Sequence, residues 1–144
     1  MSNIGLTTNL LISHAENFHS KTEVISFNEK GERLISNWLN VGLRAKKLAS
    51  AFEKLHLSSG DVIGTIAYNS KFHLELLYAI SGFGGIAHTI NPRLFPDEIV
   101  YIINDAKDKV LFVDSAYIGI LIGHKHLFKN CLLYTSPSPR DETK

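Results

Sequence analysis

The sequence is poor in the features that build disulfide frameworks, metal centres and membrane spans. A single Cys among 144 residues excludes a disulfide framework and a cysteine-based metal site. The net charge is +1, and acidic and basic residues are mixed along the chain, so no strong field attracts nucleic acid or an anionic membrane. No apolar run approaches the roughly 20 residues of a transmembrane helix. We therefore predict neither a nucleic-acid partner nor a transmembrane segment.

The amino-terminal stretch "MSNIGLTTNLLISHAENF" has no Lys or Arg before its short apolar segment and becomes polar at His14 and Glu16. Secretory and transit peptides carry basic residues there, so this stretch is predicted to be neither, and the expected location is the cytoplasm. Hydrophobic residues make up 44% of the chain and charged residues 20%, which is typical of a globular protein.

The first half of the chain is predicted to contain two helices and a hairpin. "NLLISHAENF" (9–18) is typical of a short amphipathic helix, and "TEVISFNEKGERLIS" (22–36) of two strands joined by a turn through Asn28 and Gly31. Apolar residues recur at three- and four-residue spacing from about Ser36 to His56, which predicts a long helix.

Strands and helices then alternate. The strands are apolar at nearly every position, as required when both faces of a parallel sheet are covered. We therefore predict an α/β fold with a doubly wound, mainly parallel sheet and flanking helices. The predicted strands are Val62–Ala67, Ile86–Ile90 and Val110–Val113, and the predicted helices cover 69–83, capped by Asn69 or Ser70, and 96–106, begun by Pro96.

The glycine-rich stretch "SGFGGI" resembles a phosphate-binding loop only superficially. Such loops run from a strand into a helix amino terminus, where free N–H groups meet the anion. Here Gly82, Gly84 and Gly85 leave a helix and enter a strand, so helix termination is the better interpretation.

Three other polar positions are weighed as functional. Asp114 follows a predicted strand, where a phospho-accepting or ribose-binding carboxylate lies in doubly wound sheets, although a solvated strand-end Asp is the simpler interpretation. His88 lies in the apolar strand "IAHTI" and needs partners for both ring nitrogens, which favours a satisfied core residue over a ligand contact. His124 and His126 lack metal-ligand spacing.

The stretch from Gly60 to Asp114 resembles a known family. "GDVIGTIAYNSKFHLELLYAISGFGGIAHTINPRLFPDEIVYIINDAKDKVLFVD" is similar to the amino-terminal part of the acyl-CoA synthetases, which belong to the acyl-adenylate-forming (AMP-binding) superfamily. "HTINPRLFPDEIVYIINDA" resembles the medium- and long-chain fatty-acid CoA ligase branch and its methylthiopropionate-CoA ligase relatives. The resemblance runs from about residue 8 to 128.

The resemblance implies an AMP-forming acid–thiol ligase. Such an enzyme activates a carboxylate with ATP as acyl-AMP, assisted by Mg²⁺, and transfers the acyl group to coenzyme A. Its partners would be a small carboxylate, ATP and coenzyme A, with a homodimer left open as the assembly. The alternative substrate in the same branch is a methylthioalkanoate such as methylmercaptopropionate.

None of the family's catalytic signatures lies in residues 1–130. The phosphate loop with its lysine, the Tyr-Gly-x-Thr-Glu stretch, the ribose-binding Asp, the hinge and the late catalytic Lys are all expected downstream. We therefore assign no catalytic, cofactor-binding or metal-binding residue here. The chain is predicted to be an incomplete part of the large amino-terminal domain, inactive as written.

The last residues, "CLLYTSPSPRDETK", differ from the rest. Tyr134, Thr135 and Ser136 match the start of the family's phosphate loop, but Pro137 lacks the N–H and backbone freedom that a glycine supplies there. Residues 131–141 instead resemble one reading frame of a widely used transposon-derived sequencing adapter. We therefore predict a partial AMP-binding domain at 1–130 and a non-native tail at 131–144 that makes few contacts.

One interpretation from a different class stays open. The chain could be a free-standing α/β binding or signalling module, for which Asp114 is the best candidate functional carboxylate. A receiver-like module would also need an acidic pair after its first strand, and "TIAYNS" offers none.

Overall fold

The computed structural model describes residues 5–135, which fall into two compact units. The first unit comprises residues 5–58 and 69–84, and the second comprises residues 59–68 and 85–135. No helix among the described residues is both long and apolar enough to cross a membrane.

The first unit contains three helices and a hairpin, and the predicted elements are confirmed. Asn28 closes the hairpin turn because its side-chain oxygen accepts hydrogen bonds from the backbone N–H groups of Lys30 and Glu32, while Gly31 takes the positive φ of 76° that the turn requires. The elements are α1 (Thr8–Phe18), β1 (Glu23–Phe27), β2 (Arg33–Asn37), α2 (Trp38–Lys54) and α3 (Lys71–Phe83).

Side-chain caps fix where two of these helices begin. The side chain of Asn37 accepts a hydrogen bond from the backbone N–H of Asn40 at 2.8 Å, so α2 begins at Trp38 rather than at Ser36. Ser70 caps α3 in the same way, by accepting from the backbone N–H of His73. Of the two predicted caps for this helix, Ser70 is therefore the correct one.

The second unit is built on a parallel sheet. The strand order is β4-β3-β5-β6, and every adjacent pair is parallel, so the predicted α/β class with a parallel sheet and flanking helices is confirmed. The elements are β3 (Val62–Ile66), β4 (Ile86–Thr89), α4 (Pro96–Ala106), β5 (Val110–Val113), α5 (Ile118–Ile122) and β6 (Leu132–Thr135), with 3-10 turns at Ser115–Tyr117 and Lys125–Leu127.

One apolar core joins the sheet of this unit to α4 and α5. The helix α4 contributes Ile99 and Ile103, and both side chains are buried. Burial of each such side chain contributes about 1.5–3 kcal/mol. The buried members of the core are Ile66, Ile90, Ile99, Ile103, Leu111, Val113 and Leu121.

The prediction that the tail makes few contacts is wrong for residues 131–135. Residues Leu132–Thr135 form β6 and pair with β5, while Cys131 and Leu133 pack against the core. A strand edge presents backbone N–H and C=O groups that need hydrogen-bond partners, and residues 132–135 supply them along β5. The remaining predicted tail, 136–144, lies outside the described residues.

Candidate functional site

The glycine-rich exit of α3 is a helix stop, as the order of its elements predicts. Gly84 is the carboxyl-terminal cap with a φ of 90°, and its N–H donates to the carbonyl of Ser81 at 3.1 Å. A left-handed cap of this kind satisfies the last carbonyls of a helix and leaves no row of N–H groups for a phosphate.

His88 is held by a buried carboxylate. Its Nδ1 lies 2.8 Å and 2.9 Å from the two carboxylate oxygens of Asp108, whose side chain is fully buried, while the imidazole is 25% exposed. Burial raises the pKa of Asp108 above its usual value, and the hydrogen bond to His88 acts in the opposite direction. The contact between His88 and Asp108 therefore favours a structural role for His88 over contact with a ligand.

Asp108 is a residue that sequence reasoning missed. It lies in the charged stretch "DAKDKV", where Asp105 and Asp108 look alike, and no local pattern marks one of them as buried.

The thiol of Cys131 has a raised pKa. Burial is the larger cause, and together with the charge of Asp108 it raises the pKa of this thiol to about 12. Cys131 is thus a poor nucleophile, because only the thiolate attacks.

The two histidines at 124 and 126 do not form a metal site. His124 Nδ1 lies 3.1 Å from the carbonyl oxygen of Ile120, one turn earlier. Within residues 5–135, no group of three or more His, Cys, Asp or Glu side chains could hold a metal ion.

Asp114 lies at the carboxyl end of β5 and organises the turn that follows. Its side-chain oxygen accepts a hydrogen bond from the backbone N–H of Ala116 at 3.2 Å, and its backbone carbonyl accepts from the N–H of Tyr117 at 2.9 Å. The carboxylate is therefore oriented by an Asx-type turn.

A pair of tyrosine rings lies beside Asp114. The ring centroids of Tyr68 and Tyr117 are 4.8 Å apart, in a tilted arrangement. Burial, a hydrogen bond to Tyr68 and the charge of Asp114 raise the pKa of Tyr117 to about 12, while the charge of Arg93 acts in the opposite direction. We call Tyr68, Arg93, Asp114 and Tyr117 the carboxyl-edge cluster.

A small apolar recess adjoins this cluster. Its empty space is about 150 Å³ even when the part open to solvent is included, and no enclosed cavity large enough for a water molecule lies within it. A whole nucleotide or acyl chain does not fit inside it. The recess is lined by Ile66, Pro92, Ile99, Tyr117, Ile120 and Leu121.

The prediction that no residue of this chain binds ATP or Mg²⁺ stays a prediction. Among residues 5–135, no group of three or more His, Cys, Asp or Glu side chains could hold a metal ion, and the glycine-rich segment ends a helix instead of beginning one.

The fold matches that of solved acyl-CoA ligases. A crystal structure of an anthranilate CoA ligase in complex with anthranoyl-AMP superposes with a TM-score of 0.83, over 94% of this chain and 26% of that one, at 17% identity. At this identity the likeness defines the fold alone, which is the amino-terminal part of an adenylate-forming enzyme.

The sequence defines the family. The family model described as "AMP-binding enzyme" matches residues 12–142, and the chain belongs to that family. The 3-methylmercaptopropionyl-CoA ligase of Ruegeria lacuscaerulensis is 41% identical over 132 residues, which are 92% of this chain and 24% of that protein. The medium-chain-fatty-acid–CoA ligase of Ectopseudomonas oleovorans is 48% identical over 111 residues, 77% of this chain and 20% of that protein. The chain thus spans about a quarter or less of these relatives.

Proposed function

We propose that this chain is the amino-terminal part of an ATP-dependent ligase that joins an aliphatic carboxylic acid to coenzyme A. The observation that carries the proposal is its identity to two CoA ligases with aliphatic substrates, 48% to one and 41% to the other. In the proposed reaction a carboxylate oxygen attacks the α-phosphorus of ATP and pyrophosphate leaves. The thiolate of coenzyme A then attacks the acyl carbon and AMP leaves.

A medium- or long-chain fatty acid is the first proposed substrate, and a methylthioalkanoate is the second. The higher identity supports the fatty acid, whereas the match to the methylmercaptopropionyl-CoA ligase extends over more of the chain and supports the second. Chain-length discrimination depends on contacts of about 1–3 kcal/mol per methylene. The recess beside Tyr117 is too small to supply many such contacts.

We assign ATP, coenzyme A and Mg²⁺ to the complete enzyme and propose that the chain as printed is inactive. Catalysis requires a preorganised set of hydrogen-bond donors and a carboxylate that binds the metal, because these stabilise the charge that develops at the α-phosphate.

We further propose that residues 131–144 are not part of the native protein and that its reading frame continues after Asn130.

Sequencing the source DNA across the Asn130 codon tests this proposal. We expect the frame to continue into a Ser/Thr/Gly-rich loop with a lysine and a Tyr-Gly-x-Thr-Glu stretch. The protein expressed from that gene should exchange pyrophosphate into ATP with a medium-chain fatty acid or 3-methylmercaptopropionate but not with benzoate. A genuine stop codon after residue 144, or exchange catalysed by the printed chain, would contradict the proposal.

A further inference from the structure

The solvent-facing side of α1 is largely apolar, whereas the outer face of a surface helix is typically polar. Leu11 is 63% exposed and Phe18 is 73% exposed, and His14 lies between them on the surface. Spacings of three and four residues place these side chains along one line of the helix. The rings of His14 and Phe18 are in contact, with their centroids 4.9 Å apart. We call Leu11, His14 and Phe18 the α1 stripe.

The opposite side of α1 already packs within the first unit. Ile12 is buried there, and Oε2 of Glu16 lies 2.9 Å from Nζ of Lys46 in α2. These contacts hold the helix by its inner side, so the α1 stripe is a fixed surface. A contiguous exposed surface of this kind favours contact with another apolar surface.

The absence of charge on the stripe indicates the kind of partner. Apart from His14, the only ionisable residue of α1 is Glu16, and its carboxylate binds Lys46. A helix that docks on an anionic membrane carries Lys or Arg on its polar flank, and α1 contains neither. A charged peptide would find no opposite charge on the stripe. A second α1 stripe, in contrast, brings no like charges together at neutral pH.

The stripe is also complementary to itself about a two-fold axis. Leu11 lies three residues before His14, and Phe18 lies four residues after it. In an antiparallel pair centred on His14, Leu11 of each copy therefore faces Phe18 of the other, and the two imidazoles meet at the axis. One polar residue in an apolar seam fixes the register of a helix pair.

We propose that the α1 stripe is a self-association surface, through which two copies of this chain pair with their α1 helices antiparallel and His14 at the two-fold axis. All of the evidence lies in the first unit, so the inference does not depend on the proposed ligase reaction. A helix of 11 residues spans only about 16 Å, which makes the interface small. We therefore expect a dissociation constant above about 1 µM.

Analytical ultracentrifugation of the 144-residue chain, from micromolar to submillimolar concentration, tests the surface. We expect a reversible dimer. Phe18→Asp should weaken it by at least about tenfold, because each dimer loses two buried rings. Phe95→Asp is the matched control, since Phe95 is 77% exposed and caps α4, where Asp is well tolerated. A chain that stays monomeric throughout, or equal weakening by the two substitutions, would overturn the proposal.

Cysteine cross-linking in a Cys131→Ser background tests the register. His14→Cys should form a disulfide-linked dimer with itself. Leu11→Cys should cross-link to Phe18→Cys when the two proteins are mixed, and neither should cross-link to itself. Self-linking of both Leu11→Cys and Phe18→Cys would indicate parallel helices and would overturn the antiparallel pair. Circular dichroism melts identify any variant that fails to fold, and the remaining cross-links then decide the result.

The complete parent protein distinguishes self-association from coverage of the stripe by the rest of its own polypeptide. A parent dimer that Phe18→Asp dissociates, with pyrophosphate exchange retained, supports the surface. A monomeric parent, or a parent dimer that Phe18→Asp leaves intact, would overturn it. A dimer that depends on Phe18 in a parent without any exchange would overturn the ligase and leave the surface standing.

Discussion

His88 on β4 binds the fully buried carboxylate of Asp108, which precedes β5, although β3 lies between these two strands in the sheet. The contact passes over Gly64 in the middle of β3, where a methyl group would lie 2.6 Å from Asp108 Oδ2 and 2.7 Å from Leu111 Cδ1. The absence of a side chain at residue 64 therefore gives the buried carboxylate its room.

Replacing His88 should destabilise the protein. In His88→Ala the buried carboxylate of Asp108 loses the imidazole that binds it, and we expect a loss of about 1.5–3 kcal/mol in the free energy of unfolding. Urea denaturation measures this change. His124→Ala is the control, because the contact of His124 Nδ1 with the carbonyl oxygen of Ile120 is exposed and local, and its expected effect is within about 0.5 kcal/mol. Equal losses in the free energy of unfolding for the two substitutions would contradict a stabilising role for the His88–Asp108 contact.

The buried carboxylate should also give the stability a characteristic pH dependence. Because the pKa of Asp108 is raised in the folded chain above 3.8, the folded state binds its proton more tightly than the unfolded state. The contribution to stability is therefore greatest at low pH and declines as the pH rises from 3.8 through the folded pKa. Asp108→Asn should remove this decline. A variant whose unfolding free energy follows the same pH curve as the original would refute the prediction.

Gly64→Ala should be destabilising, whereas the same change at Gly119 should not be. The added methyl group at residue 64 meets a carboxylate and a core leucine, and overpacking of this kind costs about 1–3 kcal/mol. Gly119 lies in α5 with nothing within 4 Å of the new methyl group, so Ala there should stabilise the helix by about 0.5–1 kcal/mol. Opposite shifts in the melting temperature are expected, and shifts of the same sign would count against the packing at Gly64.

In the first unit, Arg44 should contribute more to the free energy of unfolding than Arg33. Arg44 Nε lies 2.7 Å from Oε2 of Glu75, whose side chain is 1% exposed, whereas the Glu23–Arg33 pair is 4.0 Å apart and exposed on both sides. Arg44→Ala removes the guanidinium from a buried carboxylate and should cost about 1–3 kcal/mol. Arg33→Ala should cost less than about 0.5 kcal/mol. Chemical denaturation of both variants decides this, and a larger loss for Arg33→Ala would be inconsistent with the buried pair.

Asn104 should hold the segment that leads to β6. Its amide donates to the carbonyl of Leu127 at 3.0 Å, and its side-chain oxygen accepts from the N–H of Lys129 at 2.8 Å. In Asn104→Ala both bonds are lost, so the amides of residues 132–135 should exchange hydrogen faster, with little change in β3. Asp105→Ala, on the exposed side of the same helix, is the control. Unchanged exchange in Asn104→Ala would show that β6 is held by strand pairing alone.

The sequence by itself determined which segments become helices and strands, and in what order. Hydrophobic periodicity, the turn at Asn28 and Gly31 and the start at Pro96 are local signals, so they act through neighbours along the chain. The family was recognisable for the same reason, because its motifs are contiguous. The position of Asp114 after a strand likewise marked one member of the carboxyl-edge cluster.

Only the tertiary structure decided which distant residues meet. Asp108 and Asp105 carry the same side chain within one charged stretch, and only the pairing of β3 with β4 and β5 buries one of them against His88. Tyr68 and Tyr117 become neighbours because parallel pairing aligns the ends of β3 and β5. Residues 132–135 form a strand because the edge of β5 leaves backbone groups to be satisfied. Each of these contacts depends on which strands pair, and the paired strands are far apart along the chain, so a local sequence pattern does not identify the partner.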